Sequence, residues 1–213
     1  MTTPQDEPTQ LPSADDLESM WAGKFGDEYV ERNAAPIEAR RHFWERVLAD
    51  FPASRILEVG CAHGEELMHL SNLVEPHDLW GVDVNERALT EVRQRVPGVN
   101  AVWGLARELP FRDRFFDAVF TIGLLIHQPD GTLPIVMNEI ARCSKRWVMC
   151  GEYYAEETTD ISYRDRPGIL FKRDYGRLYQ EWIPGLVLRH SEELTVEESG
   201  FDRVTWHVLE RVD

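Results

Sequence analysis

Short apolar runs alternate with amphipathic stretches through the middle of the chain. Ile56, Leu57 and Val59 form a compact run that stops at Gly60, which reads as a buried strand followed by a turn. Further runs at residues 79–84, 101–104, 114–123 and 146–151 read the same way, and two closing strands are expected at 186–188 and 204–209. Between them Leu67, Leu70, Leu73 and Val74 recur at helical spacing, and Leu133, Ile135, Val136, Ile140 and Ala141 outline another helix. Upstream, Pro36 starts a helix whose apolar face carries Ile37, Phe43, Trp44 and Leu48 and which ends before Pro52. Strands alternating with helices across short connections predict an α/β fold: a doubly wound, seven-stranded, mostly parallel sheet with helices on both faces. No internal repeat is visible.

The first strand leads into Gly60-Cys-Ala-His-Gly64, a turn of little side-chain bulk that opens a helix. Such a turn lets backbone approach a ligand, and the helix start offers unpaired N–H groups. A dinucleotide fingerprint needs Gly-x-Gly-x-x-Gly, whereas this turn has Ala62 at its second position and no third glycine. Asp83, roughly 20 residues on at the end of the second strand, suits the two hydroxyls of a ribose, although an acid at a strand end is often only a helix cap, and Asn85 could serve as that cap. The run from Glu58 through Gly60, Ala62 and Gly64 resembles motif I of the class I S-adenosylmethionine (SAM)-dependent methyltransferases, and Asp83 matches the acid of their motif II. The resemblance implies a Rossmann-like fold with SAM as cofactor. It places Val84, Leu105, Ala106, Thr121, Ile122 and Gly123 along the cofactor edge. Leu105 stands where that family commonly has an aspartate for the adenine amine, so backbone near Ala106 is expected to take over. Ala62, where glycine is usual, costs little if its backbone is not left-handed.

Composition narrows the partners. The 213 residues carry a formal net charge of −15, which disfavours nucleic acid and anionic membrane surfaces. No apolar run reaches the ~18 residues of a membrane span, and the N-terminus lacks the features of a signal peptide, so a cytoplasmic protein is expected. Cys61, Cys143 and Cys150 suggest neither a disulfide framework nor a metal site. Residues 1–14 contain almost nothing to bury and are expected to be a disordered tail. Residues 15–213 then form one domain: N-terminal helices acting as a lid over 15–50, a cofactor-binding core over 51–151, a substrate-facing insertion over 152–185 and closing strands over 186–213.

Several segments carry candidate chemistry. Trp21, Phe25 and Tyr29 read either as a helix packed on the core edge or as a lid turning Tyr29, Arg32 and Asn33 toward the cofactor. His127, at a strand-to-helix junction, and Glu152, at a strand end, are candidate general bases; a structural role is the alternative for the histidine. Tyr153, Tyr154, Tyr163, Arg164, Lys172 and Arg173 are candidate substrate ligands, since arginine grips carboxylate or phosphate, while self-pairing with nearby aspartates in a solvated loop is the plain alternative.

Trp21, residues 25–33, residues 120–127, Glu152-Tyr-Tyr154, Tyr163-Arg164, residues 170–174 and Thr205-Trp206 together resemble the methylases associated with pseudaminic acid biosynthesis. That resemblance implies methyl transfer to a small polar, anionic or zwitterionic metabolite of amino-sugar or amino-acid type. Two alternatives stay open: SAM itself reacting to release methylthioadenosine, and a SAM-binding module without catalysis.

Overall fold

The computed structural model describes residues 12–32 and 38–213. Seven strands form one sheet: β1 (Ile56–Val59), β2 (Leu79–Asp83), β3 (Asn100–Trp103), β4 (Phe116–Ile122), β5 (Ser144–Glu152), β8 (Leu186–Leu194) and β9 (Val204–Arg211). Their order is β3-β2-β1-β4-β5-β9-β8, with β1 to β5 parallel and β9 antiparallel to both its neighbours. The final strand is therefore inserted between the fifth strand and the penultimate one. A two-stranded ribbon, β6 (Thr159–Asp160) with β7 (Phe171–Lys172), sits within the 152–185 segment.

Helices cover both faces, because each strand alternates its side chains between two apolar surfaces. On one face Ile56, Phe120, Met149 and Trp206 pack with α3 (Ala39–Asp50), α4 (Glu65–Leu70) and α5 (Glu86–Arg95). On the other, Leu57, Val119, Val148 and Leu209 pack with α6 (Leu133–Cys143) and α7 (Tyr175–Trp182). A register shift between Phe116 and Ala118 lets Phe116 share the face of Val119 rather than that of Ala118. The short α8 (Val196–Ser199) packs against α3, and all three cysteines are buried free thiols.

The N-terminal region departs from expectation in two places. A helix, α1 (Ala14–Ala22), begins inside the stretch read as tail, fixed by Ser13 and Asp16 in a reciprocal capping box. Gly23 then ends it, so Trp21 and Tyr29 belong to two helices, α1 and α2 (Lys24–Arg32), rather than one. The expected helix start at Pro36 and the Ile37 position lie outside the described residues. Among the described residues, no helix is long and apolar enough to cross a membrane.

Candidate active site

A cleft opens at the carboxyl edge of the parallel strands, where ligands bind in doubly wound sheets. Its floor is the Gly60-to-Ala62 turn, the β2 end at Asp83 to Asn85, and the β4 exit from Ile122 to Leu124. Its roof is α1 and α2, which contribute Leu17, Glu18, Trp21, Tyr29 and Val30. About 980 Å³ of empty space, including open solvent at the mouth, lies between them.

The turn is built for close approach. Gly60 has φ +77° and a Cβ there would lie 2.8 Å from Leu124 Cδ1. Ala62 adopts φ 43°, so the left-handed backbone is present after all and alanine carries a strain of about 1 kcal/mol. Asp83 holds the turn: one carboxylate oxygen accepts the Ala62 N–H at 2.9 Å and the other accepts the Asn85 N–H at 2.8 Å. Each oxygen has a second lone pair for a ligand hydroxyl. Burial pushes the Asp83 carboxyl above its ordinary value, opposed by these N–H groups.

Asn85 ties roof to floor. Its side-chain oxygen caps α5 through the Ala88 N–H, while its amide donates to Trp21 O at 3.1 Å and Asp27 Oδ1 at 3.0 Å. Gly26 permits this approach, since a Cβ there would meet Trp21 O at 1.8 Å. The sequence marked Asn85 only as a cap; nothing local signals a partner about 60 residues upstream.

His127 lies under the roof, its ring 4.7 Å from Trp21 and 5.6 Å from Tyr163. Its Nδ1 meets the carbonyl of Ile169, and a carbonyl only accepts, so Nδ1 carries the proton and Nε2 is the bare nitrogen. Burial holds the imidazole down at about 4, opposed by that hydrogen bond, so the ring is neutral at pH 7. The indole N–H of Trp21, another cleft residue, is buried without an acceptor among the described residues.

Of the residues expected along the cofactor edge, Gly60, Ala62, Asp83, Val84, Ala106, Ile122, Gly123 and Tyr29 line the cleft, as does His127. The others do not. Gly64 caps α4, and Leu105 pairs with Glu108 while Ala106 faces inward. Glu58 is buried on the α3 and α4 side, where burial and then the charge of Glu66 raise its carboxyl. Arg32 is exposed and pairs with Glu28, and Asn33 lies outside the described residues. Thr121 is fully buried and donates to Glu152 at 2.8 Å.

Glu152 does not reach the cleft either. It is 1% exposed, and it accepts the Leu124, Leu125 and Ile126 N–H groups as well as the Thr121 hydroxyl. Burial pushes its carboxyl up to about 7 against those donors. The basic residues of the insertion do not form one patch. Arg164 lies over Tyr163, Arg166 over Phe25 and Lys172 over Tyr153, whereas Arg173 is 2% exposed and bonded to Gln128 O and Asp130. Tyr154 is 49% exposed. Tyr153 reaches Asp202 through its hydroxyl at 3.2 Å, a contact from the closing segment that the sequence did not indicate.

Residues 56–146 match the family model described as a methyltransferase domain. The fatty-acid O-methyltransferase of Mycolicibacterium smegmatis is 38% identical over 96 residues, 44% of this chain and 34% of that protein. The phthiotriol/phenolphthiotriol dimycocerosates methyltransferase of Mycobacterium tuberculosis (strain H37Rv) is 32% identical over 97 residues, 44% of this chain and 36% of that protein. The matched stretch thus spans about a third of the length of these relatives. Among solved structures, the 1,6-didemethyltoxoflavin-N1-methyltransferase of Burkholderia thailandensis, with S-adenosylhomocysteine bound, aligns with TM-score 0.76. It is 16% identical and the alignment covers 99% of this chain and 94% of that one. The chain therefore carries the fold of the class I SAM-dependent methyltransferases, with its methyltransferase-domain match in the half that builds the cleft floor.

Proposed function

We propose that this protein is a SAM-dependent methyltransferase and that the cleft under α1 and α2 holds the cofactor. The observation that carries this reading is Asp83: a half-buried carboxylate with spare lone pairs, locked to the glycine turn and opening on the cleft. The Asp83 carboxylate would take the ribose hydroxyls, Val84 and Ala106 would flank the adenine, and Gly60 to Ala62 with Gly123 would border the amino-acid end. When bound, SAM supplies a methyl group already activated on a sulfonium.

The chain's own work is then positioning and exclusion of water. Trp21 and Tyr29 close the roof, and their ring faces suit a cationic centre. His127 presents Nε2 as an acceptor for the O–H or N–H of the methyl acceptor. A ring held near 4 orients that proton better than it removes it, so the acceptor is a group that ionises readily or is nucleophilic when neutral.

The acceptor we infer is a small polar metabolite of amino-sugar or amino-acid type. The resemblance to the pseudaminic acid-associated methylases supports it, together with Lys172, Tyr153 and Asp202 grouped beside one another. A second reading, an acceptor with an apolar body, is favoured by the cleft's Leu17, Val30, Ile122 and Leu124 and by the fatty-acid relative. Mass spectrometry of the protein incubated with SAM and a pool of cell metabolites tests the proposal. S-adenosylhomocysteine formed only with the pool supports methyl transfer, and the molecule gaining a methyl mass identifies the acceptor class. Methylthioadenosine formed without an acceptor overturns it in favour of SAM as sole substrate. Tight SAM binding with no product of either kind leaves a non-catalytic module.

A further inference from the structure

We propose that Glu152 and Arg173 are positioning residues that clamp residues 124–130 from two sides so that His127 presents Nε2 to the cleft. The proposal rests on the role given to His127 above. The segment leaves β4 at Gly123 and makes one 3-10 turn over Leu125–His127. That turn starts with N–H groups that have no partner within it. The Glu152 carboxylate answers them: Oε1 accepts Leu124 N–H at 3.3 Å and Leu125 N–H at 3.1 Å, and Oε2 accepts Ile126 N–H at 3.2 Å. Thr121, the last buried hydroxyl of β4, adds a fourth donor at 2.8 Å. All the donors point at one carboxylate, so an apolar or amide side chain at this position would leave buried N–H groups unmatched.

Arg173 grips the far end. Its Nη1 donates to Gln128 O at 3.0 Å, its Nη2 meets Asp130 at 2.7 Å, and its guanidinium stacks over Phe171 at 4.3 Å. Its own N–H donates to Tyr153 O, which links it back to the residue after Glu152. Between the two ends, Ile169 O fixes the His127 tautomer. Glu152 ends β5 and Ile169 and Arg173 lie in the segment that follows it, so one stretch of chain holds both the backbone and the ring. Burial of two charged side chains that never reach the cleft is explained by this clamp. The groups facing the His127 ring are Trp21 from α1, Tyr163 and the Ile169 carbonyl. The ring's tautomer and protonation therefore report on the clamp.

The test is side-chain NMR of His127 in the full chain, assigned with His127→Gln and followed from pH 4 to 8. In the wild type the ring stays neutral, with one tautomer protonated on Nδ1, down to about 4. In Glu152→Gln and in Arg173→Met the midpoint moves toward the ordinary 6.5 and both tautomers appear. Alongside it, kcat falls about tenfold or more while KM for SAM changes by less than about threefold. Folded variants whose His127 ring titrates as in the wild type would overturn the proposal. Should Glu152→Gln not fold, Arg173→Met decides the matter alone, because it leaves the β4 and β5 contacts intact. The ring measurement needs no substrate, so a wild type that methylates nothing would refute the proposed activity and leave the clamp standing.

Discussion

Removing the Asn85 side chain should release the roof of the cleft. Asn85 is 3% exposed and its side chain makes three bonds: the cap to Ala88 N–H at 2.9 Å, and the latch to Trp21 O and Asp27. Losing the cap costs about 1 kcal/mol. Losing a bond to a carboxylate and one to a carbonyl costs about 2 kcal/mol more. Asn85→Ala should therefore lose about 3 kcal/mol, or roughly 9 °C of melting temperature in a domain this size. Asn85→Ser separates the two contributions, because serine caps α5 but cannot reach α1. Its loss should be the 2 kcal/mol of the latch alone. The ion pairs from the roof, Arg107 to Asp15 and Glu18 and Arg87 to Glu31, are partly exposed pairs that water and salt screen. Trypsin reads the roof directly, for Lys24 stands at the start of α2 with its side chain 90% exposed. Cleavage at Lys24 should accelerate about thirtyfold in Asn85→Ser, since each 1.4 kcal/mol is a factor of ten in the open population and the latch is worth about 2 kcal/mol. S-adenosylhomocysteine affinity should fall by a similar factor. An Asn85→Ser protein that melts within about 2 °C of the wild type and is cut at Lys24 no faster would refute the latch.

Three further outcomes follow from the same geometry. Ala62→Gly should stabilise the protein by up to about 1 kcal/mol in urea unfolding, because φ 43° suits glycine; a loss of stability would contradict the strain. Gly26→Ala should weaken S-adenosylhomocysteine binding, since its Cβ cannot coexist with Trp21 O at 1.8 Å unless α1 and α2 part; unchanged calorimetric affinity would count against it. His127 sits at about 4 when folded against an ordinary 6.5, and a depressed histidine contributes stability that is complete above 6.5 and lost as pH falls through 4. The stability gap between wild type and His127→Gln should therefore shrink by about 3 kcal/mol between pH 7 and pH 4 in urea titrations, and a gap independent of pH would refute the buried neutral ring.

The parallel sheet was legible because each strand is a short apolar run closed by a turn, and burial on both faces leaves that mark in sequence. The glycine turn and Asp83 were legible for the same reason: they are local, and their spacing is fixed by one strand-helix-strand unit. The break at Gly23 was missed because Trp21, Phe25 and Tyr29 keep a helical spacing across it. The insertion misled more. Arg164, Lys172 and Arg173 are close in sequence, yet one lies over Tyr163, one over Tyr153 and one is buried against Gln128. A run of like charges says nothing about which members the fold will bury. Glu152 looked like a base because it ends a strand, but its oxygens are taken by N–H groups about 27 residues away in the chain. Such long-range satisfaction of backbone donors has no local signature.

The most direct test of the central claim is calorimetric titration of S-adenosylhomocysteine into the wild type, Asp83→Ala and Asp83→Asn. The account predicts one site per chain in the wild type. It predicts a loss of about a hundredfold in Asp83→Ala, the worth of two hydroxyl bonds to a carboxylate at roughly 1.5 kcal/mol each. Asp83→Asn, which keeps one acceptor oxygen, should fall between. Binding of equal strength in all three folded proteins, or none in any, would contradict it.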